Sequence, residues 1–144
     1  MSTRTSTVEW SGSLVRGTGS ITLPSSKQRT FEYSLQTRAA DVASGTSPEE
    51  LLAAAYASCY AMQLSALLDP GPDENPRLHV EVAVTQGGPE VDFGIARIAL
   101  RVRGTDIELP AARFDELAHD ASRLCPIGRA LSAVPVSVEA GFSG

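Results

Sequence analysis

Two cysteines, Cys59 and Cys125, are the side chains best suited to forming and breaking bonds, and they stand 66 positions apart. That spacing is not a CxxC motif, and a pair is too few for a disulfide framework. In a reducing compartment each is either an inert core thiol or a reactive one. The inert reading is the ordinary one, because free cysteine is among the most buried residue types and packs as a small hydrophobe. Local sequence separates the two. Cys125 precedes Pro126, well placed as the first residue of a short helix through Ile127, Ala130 and Leu131. The exposed N–H groups of that helix start would favour a Cys125 thiolate. Cys59 sits mid-helix in an apolar setting without such help, so a nucleophilic Cys59 needs a cation brought from elsewhere. Arg38 and Arg16 are the candidates, and read as structure alone each is a solvated charge at a strand end. Glu49 could hold such an arginine by a bidentate carboxylate pair.

The element that must position this chemistry is the long apolar stretch from Thr46 to Leu68, TSPEELLAAAYASCYAMQLSALL. Ser47 can cap a helix, Pro48 suits the first helical position, and Glu50 completes a capping box, which leaves the Glu49 carboxylate free. From Leu51 to Leu68 the strongly polar side chains are Ser58, Gln63 and Ser65, so the helix is expected to be buried on most sides. Its length and apolarity would suit a membrane span, but its alanines, scattered polar groups and acidic flanks (Glu49, Glu50, Asp69) argue against one. Glu49 and Cys59 lie ten residues apart on this helix, about 15 Å of axial rise. One chain cannot easily bring both to one site. The geometry implies a dimer, in which Glu49 and an arginine of one subunit complete the pocket around Cys59 of the other.

Other chemistries find less support. His79 and His119 belong to no ligand-spaced cluster, so no metal is expected. A Cys-His-Asp hydrolase could be drawn from Cys59, either histidine and Asp120, but no spacing favours it. A net charge of −5 with scattered basic residues leaves no electrostatic footprint for nucleic acid. The N-terminal stretch MSTRTSTVEW lacks the apolar core of a signal peptide, which gives a cytoplasmic expectation. At 144 residues, the chain is read as a single domain, 1–144, able to bury a core.

Around the helix the pattern is α+β. Thr7 to Val15, Gly19 to Leu23 and Arg29 to Arg38 read as a meander of strands. The helix ends at Asp69-Pro70-Gly71-Pro72. Arg77 to Gln86 alternates Leu78, Val80, Val82 and Val84 against His79, Glu81 and Thr85. Phe93 to Arg103 follows after Gly87-Gly88-Pro89, with Arg97, Arg101 and Arg103 on a face that is solvated or covered by another subunit. Phe114, Leu117, Ala118, Ala121 and Leu124 recur at helical spacing within Pro110 to Leu124. Val134, Val136 and Val138 mark a last strand, with Pro135 suggesting an edge. The order is β-β-β-α-β-β-α-α-β.

SPEELLAAAYASCYAMQLS (Ser47 to Ser65) with CPIGRAL (Cys125 to Leu131) resembles the OsmC/Ohr family of thiol-dependent peroxidases, the OsmC branch in particular. The likeness spans nearly the whole chain, including Thr37-Arg38 before the helix. It implies an intertwined homodimer, antiparallel sheets around a long buried central helix, and two active sites at the subunit interface. By motif match Cys59 would be the peroxidatic thiol and Cys125 the resolving one, with Arg38 and Glu49 stabilising the thiolate. The implied activity is reduction of organic hydroperoxides, and of hydrogen peroxide less well. It runs through a Cys59 sulfenic acid and a Cys59–Cys125 disulfide, recycled by a lipoyl-type or small dithiol, with no cofactor. The sequence departs from the branch at Tyr56, where histidine is common, and at Ile127-Gly128, where valine-serine is usual. Met62, Tyr56 or Tyr60 would line an apolar substrate pocket, though each is equally well suited to core packing. The rivals are a non-catalytic stress-response dimer that binds a small apolar ligand at its interface, and a generic thiol hydrolase or transferase.

Overall fold

The computed structural model describes residues 1–143. Internal contacts divide the chain into two compact units, Met1–Leu51 and Leu52–Gly144, each taken by itself.

The first unit holds an antiparallel meander, β1 (Thr7–Ser11), β2 (Thr18–Leu23) and β3 (Gln28–Tyr33), in the order β1-β2-β3. Trp10, Gly19 and Tyr33 are in register across it. The two aromatic rings close over the glycine, their centroids 5.6 Å apart, and a Cβ at Gly19 would lie 2.3 Å from the Tyr33 ring. The glycine is therefore set by close approach. The meander stops at Tyr33, short of the expected strand end at Arg38, because Ser34 opens a short helix, α1 (Leu35–Ala39). Its hydroxyl accepts from the Thr37 N–H at 3.2 Å and the Thr37 hydroxyl accepts from the Ser34 N–H at 2.9 Å, a reciprocal cap that ends the extended chain. Arg38 lies in its last turn.

The long helix α2 runs unbroken over Pro48–Leu68. The Ser47 hydroxyl accepts from the Glu50 N–H at 3.1 Å, as expected. The other half of the expected box is replaced, because the Glu50 carboxylate accepts from the Thr46 hydroxyl at 2.7 Å.

The second unit contains the core. Strands β4 (Arg77–Gln86), β5 (Ile95–Thr105) and β6 (Val136–Phe142) form a sheet in that order, with β4 antiparallel and β6 parallel to β5. The parallel pair departs from the expected all-antiparallel arrangement: the chain crosses over through α3 (Ala111–Leu124) and α4 (Pro126–Ala130) between β5 and β6. β5 starts at Ile95 because Asp92 and Phe93 take left-handed backbone angles (φ 52° and 56°) in the preceding turn, which removes Phe93 from the strand. Ile98, Leu100 and Val102 of β5 pack with Phe114, Leu117, Ala118 and Ala121 of α3 and with Tyr56, Tyr60 and Leu64 of α2. Leu124, expected on that apolar face, is 51% exposed at the end of α3. On the opposite face of the sheet Arg101 lies between Glu81 (3.9 Å) and Glu139 (3.3 Å), and Arg103 meets Glu139 at 2.6 Å. These two arginines are thus paired across strands.

Within the single chain α2 is not buried on most sides. Tyr56, Tyr60 and Leu64, spaced i, i+4, i+8, form its buried stripe, whereas Ala54, Ala55, Ser58, Met62, Ser65 and Ala66 are exposed. The helix is long and apolar enough to cross a membrane, yet its tyrosines are core residues of a mixed sheet-and-helix unit.

Candidate active site

The fold brings two pairs of candidate site residues together, one in each unit. In the second unit Cys59 and Cys125 are in direct contact, with Sγ to Sγ 2.7 Å. Both are free thiols; a bonded pair would lie at about 2.05 Å. Cys59 comes from the middle of α2 and is half-buried; Cys125 is fully buried. Cys125 is placed by a break between helices. It ends α3, its N–H donating to Ala121 O at 2.9 Å, and it caps α4, its carbonyl accepting from the Arg129 N–H at 2.9 Å. Pro126 suits this junction because the first helical residue needs no N–H partner.

The expectation that the α4 start favours a Cys125 thiolate is overturned. Burial pushes the Cys125 thiol up, as does its hydrogen bond to Cys59, and these outweigh the lowering by the Gly128 and Ile127 N–H groups. The Cys125 thiol donates to the Cys59 sulfur at 2.7 Å.

In the first unit Arg38 and Glu49 form the bidentate pair. Arg38 Nε donates to Glu49 Oε1 and Oε2 at 3.1 and 3.2 Å, and Nη2 donates to Oε1 at 2.6 Å. The hydrogen bond to Glu49 raises the Arg38 pKa above its ordinary value, burial notwithstanding. Burial pushes the Glu49 carboxyl up, but Arg38, the backbone N–H and the Ser47 hydroxyl together hold it below its ordinary value. Between the two candidate arginines, Glu49 takes Arg38. Arg16 is exposed in the turn after β1 and has no ion-pair partner among the described residues. The Ser34–Thr37 cap ahead of Arg38 escaped the sequence reading, because threonine stands at the position where a capping box carries glutamate or glutamine.

The three side chains expected to line one substrate pocket do not share one. Tyr60 is wholly buried and donates to Ala118 O at 3.0 Å. Met62 is 75% exposed on the far stripe of α2. Tyr56 contributes to a cavity of about 860 Å³ with His119, Gly128, Arg129 and Val136, and neither cysteine lines it.

A long helix and a helix junction thus deliver two touching thiols, an arrangement that can support thiol redox chemistry. Residues 41–139 match the family described as OsmC-like protein, and the chain belongs to that family. Peroxiredoxin OsmC of Escherichia coli (strain K12) is 30% identical over 124 residues, 86% of either chain. Among solved structures, the organic hydroperoxide resistance protein OhrB of Bacillus subtilis superposes with a TM-score of 0.64 at 26% identity, covering 96% of this chain and 98% of its own. An organic hydroperoxide resistance protein from Elizabethkingia anophelis shares the fold, with a TM-score of 0.67 at 17% identity over 100% and 97% of the two chains. The protein is accordingly a thiol-dependent peroxidase whose substrates are hydroperoxides.

Proposed function

We propose that the protein reduces organic hydroperoxides, and hydrogen peroxide less well, through Cys59 as the attacking sulfur and Cys125 as the resolving one. The observation that carries this reading is the 2.7 Å contact between the two sulfurs, with Cys125 as donor. The Cys59 thiolate attacks one peroxide oxygen, the O–O bond breaks, and the alcohol leaves with a proton. The Cys59 sulfenic acid then condenses with the Cys125 thiol, releasing water and forming the disulfide. A lipoyl-type or small dithiol reduces that disulfide by exchange, and no cofactor enters.

In this reading the working molecule is a cytoplasmic, intertwined homodimer, in which Arg38, held by Glu49, stabilises the Cys59 thiolate of the partner subunit. Two features support the dimer. The exposed stripe of α2 is small and apolar, Ala54, Ala55, Met62 and Ala66 among it. The meander and its first turn leave Val8, Trp10, Leu14 and Val15 exposed, apolar surface of the kind that marks an interaction face. An apolar seam beside Cys59 would favour alkyl and aryl hydroperoxides. Turnover of cumene hydroperoxide with dihydrolipoamide tests the assignment. Cys59→Ser should abolish it and Cys125→Ser should stop it after one oxidation event per Cys59. Wild-type turnover in Cys59→Ser would end the proposal.

A further inference from the structure

We propose that Tyr56 is a positioning residue for the second chemical step, bracing the chain on both sides of Cys125 against the helix that carries Cys59. This rests on the two-cysteine reading above. Tyr56 is 1% exposed and lies three residues before Cys59, about one turn away on α2. Its hydroxyl reaches Ser122 O, in the last turn of α3, at 3.5 Å. Its ring lies against Gly128 in α4, where a Cβ would come within 2.8 Å of the phenolic oxygen and 3.2 Å of Cε2. Ser122 stands three residues before Cys125 and Gly128 three after. One side chain of the Cys59 helix therefore touches both arms of the bend that presents the resolving sulfur. Glycine at 128 is what admits the ring so closely, since any side chain there would also meet Ser122 O at 2.2 Å.

The chemistry makes this placement matter. Once Cys59 carries a sulfenic oxygen, Cys125 must yield to the added atom and then return to displace it as water. The competing fate is attack of the sulfenate on a second hydroperoxide, which breaks another O–O bond, releases a second alcohol and leaves Cys59 as sulfinic acid. Tyr56 limits how far the Cys125 bend moves, and so decides which step is faster. Because the contact to Ser122 O is long, the packing against Gly128 carries most of the effect, and the hydroxyl adds the smaller part that reaches the Ser122 arm.

The test is rapid quench of the full-length protein with cumene hydroperoxide, with dimedone trapping and intact mass spectrometry to separate sulfenic acid, disulfide and sulfinic acid. In Tyr56→Leu the rate of disulfide formation is expected to fall at least tenfold further than that of sulfenic acid formation, with sulfinic acid accumulating. Tyr56→Phe should restore resolution to within about twofold of wild type, since the ring stays. Tyr60→Leu is the control, a comparable loss in the same core, whose hydroxyl donates to Ala118 O instead of Ser122 O. Unchanged resolution in Tyr56→Leu, or an equal slowing in Tyr60→Leu, overturns the positioning role while leaving the two-cysteine chemistry standing. Failure of the wild type to form either sulfenic acid or disulfide would instead remove the chemistry on which the inference rests.

Discussion

Glu49→Gln removes the charge that holds Arg38 while keeping the shape of the side chain. The native carboxylate takes the guanidinium on both oxygens, with contacts of 2.6, 3.1 and 3.2 Å. An amide offers one acceptor and turns its NH₂ toward a donor. Exposed ion pairs contribute about 0–1 kcal/mol, and forked geometry moves a pair toward the upper end. Arg38 is 36% exposed and Glu49 12%, so solvent screens the pair in part and about 1 kcal/mol is the expected loss. In population terms that is about a fivefold loss of the ordered arginine. If Arg38 stabilises the reactive thiolate, sulfenic acid formation in Glu49→Gln should slow by about fivefold, and Arg16→Gln should leave it unchanged, as read by single-turnover dimedone trapping. The pH dependence has a defined sign. The folded Glu49 value lies below the unfolded one. Its contribution is therefore complete above the unfolded value of about 4.3 and is lost as pH falls through the lower folded value. The melting-temperature gap between wild type and Glu49→Gln should stay constant from neutral pH down to about pH 5 and close below about pH 4. A variant as fast as wild type, or a gap that widens in acid, would refute the reasoning.

Cys125 is fully buried and its thiol is raised chiefly by that burial, so iodoacetamide at neutral pH should label Cys59 well before Cys125; equal labelling by peptide mass spectrometry would contradict the assignment of donor and acceptor. Met62→Glu places a charge on the exposed apolar stripe of α2; under the proposed dimer it should give a monomer in sedimentation velocity and slow sulfenic acid formation, and an assembly state equal to that of wild type would refute the proposed seam.

What could be read from the sequence was whatever local patterning decides. β4 begins at Arg77 and ends at Gln86 as its alternation requires, α2 begins at Pro48 behind its cap, and Cys125 caps α4 ahead of Pro126. The misses have identifiable causes. The alternation of Phe31, Tyr33 and Leu35 continues past the true strand end, and the Ser34–Thr37 cap overrides it. Helical spacing places Leu124 on the apolar face, yet the last core residue of α3 is Ala121 and Leu124 is 51% exposed. The parallel pairing of β6 with β5 is a tertiary choice that no strand's own pattern records. The meeting of the sulfurs was likewise invisible to spacing: the residues alone left each thiol an ordinary core candidate, and the family resemblance supplied the pairing.

The helix-start argument for Cys125 failed for a reason that bears on the chemistry. A helix N-terminus lowers a thiol through a few N–H groups, here those of Ile127 and Gly128, whereas burial acts on the whole thiolate charge. With Cys125 wholly enclosed, burial prevails, and the sulfur with the apparently better electrostatic setting is the one that stays protonated. A protonated, enclosed thiol is a poor first nucleophile but a suitable second one. Under the proposed mechanism it is shielded from peroxide, donates to its neighbour in the resting state, and lies within reach of the sulfenic sulfur once that forms. The half-buried Cys59 has no helix start of its own, so under the proposed mechanism its activation must come from the donated hydrogen bond and from a guanidinium. Arg38, which Glu49 holds on both carboxylate oxygens, is the cation that mechanism assigns to the task.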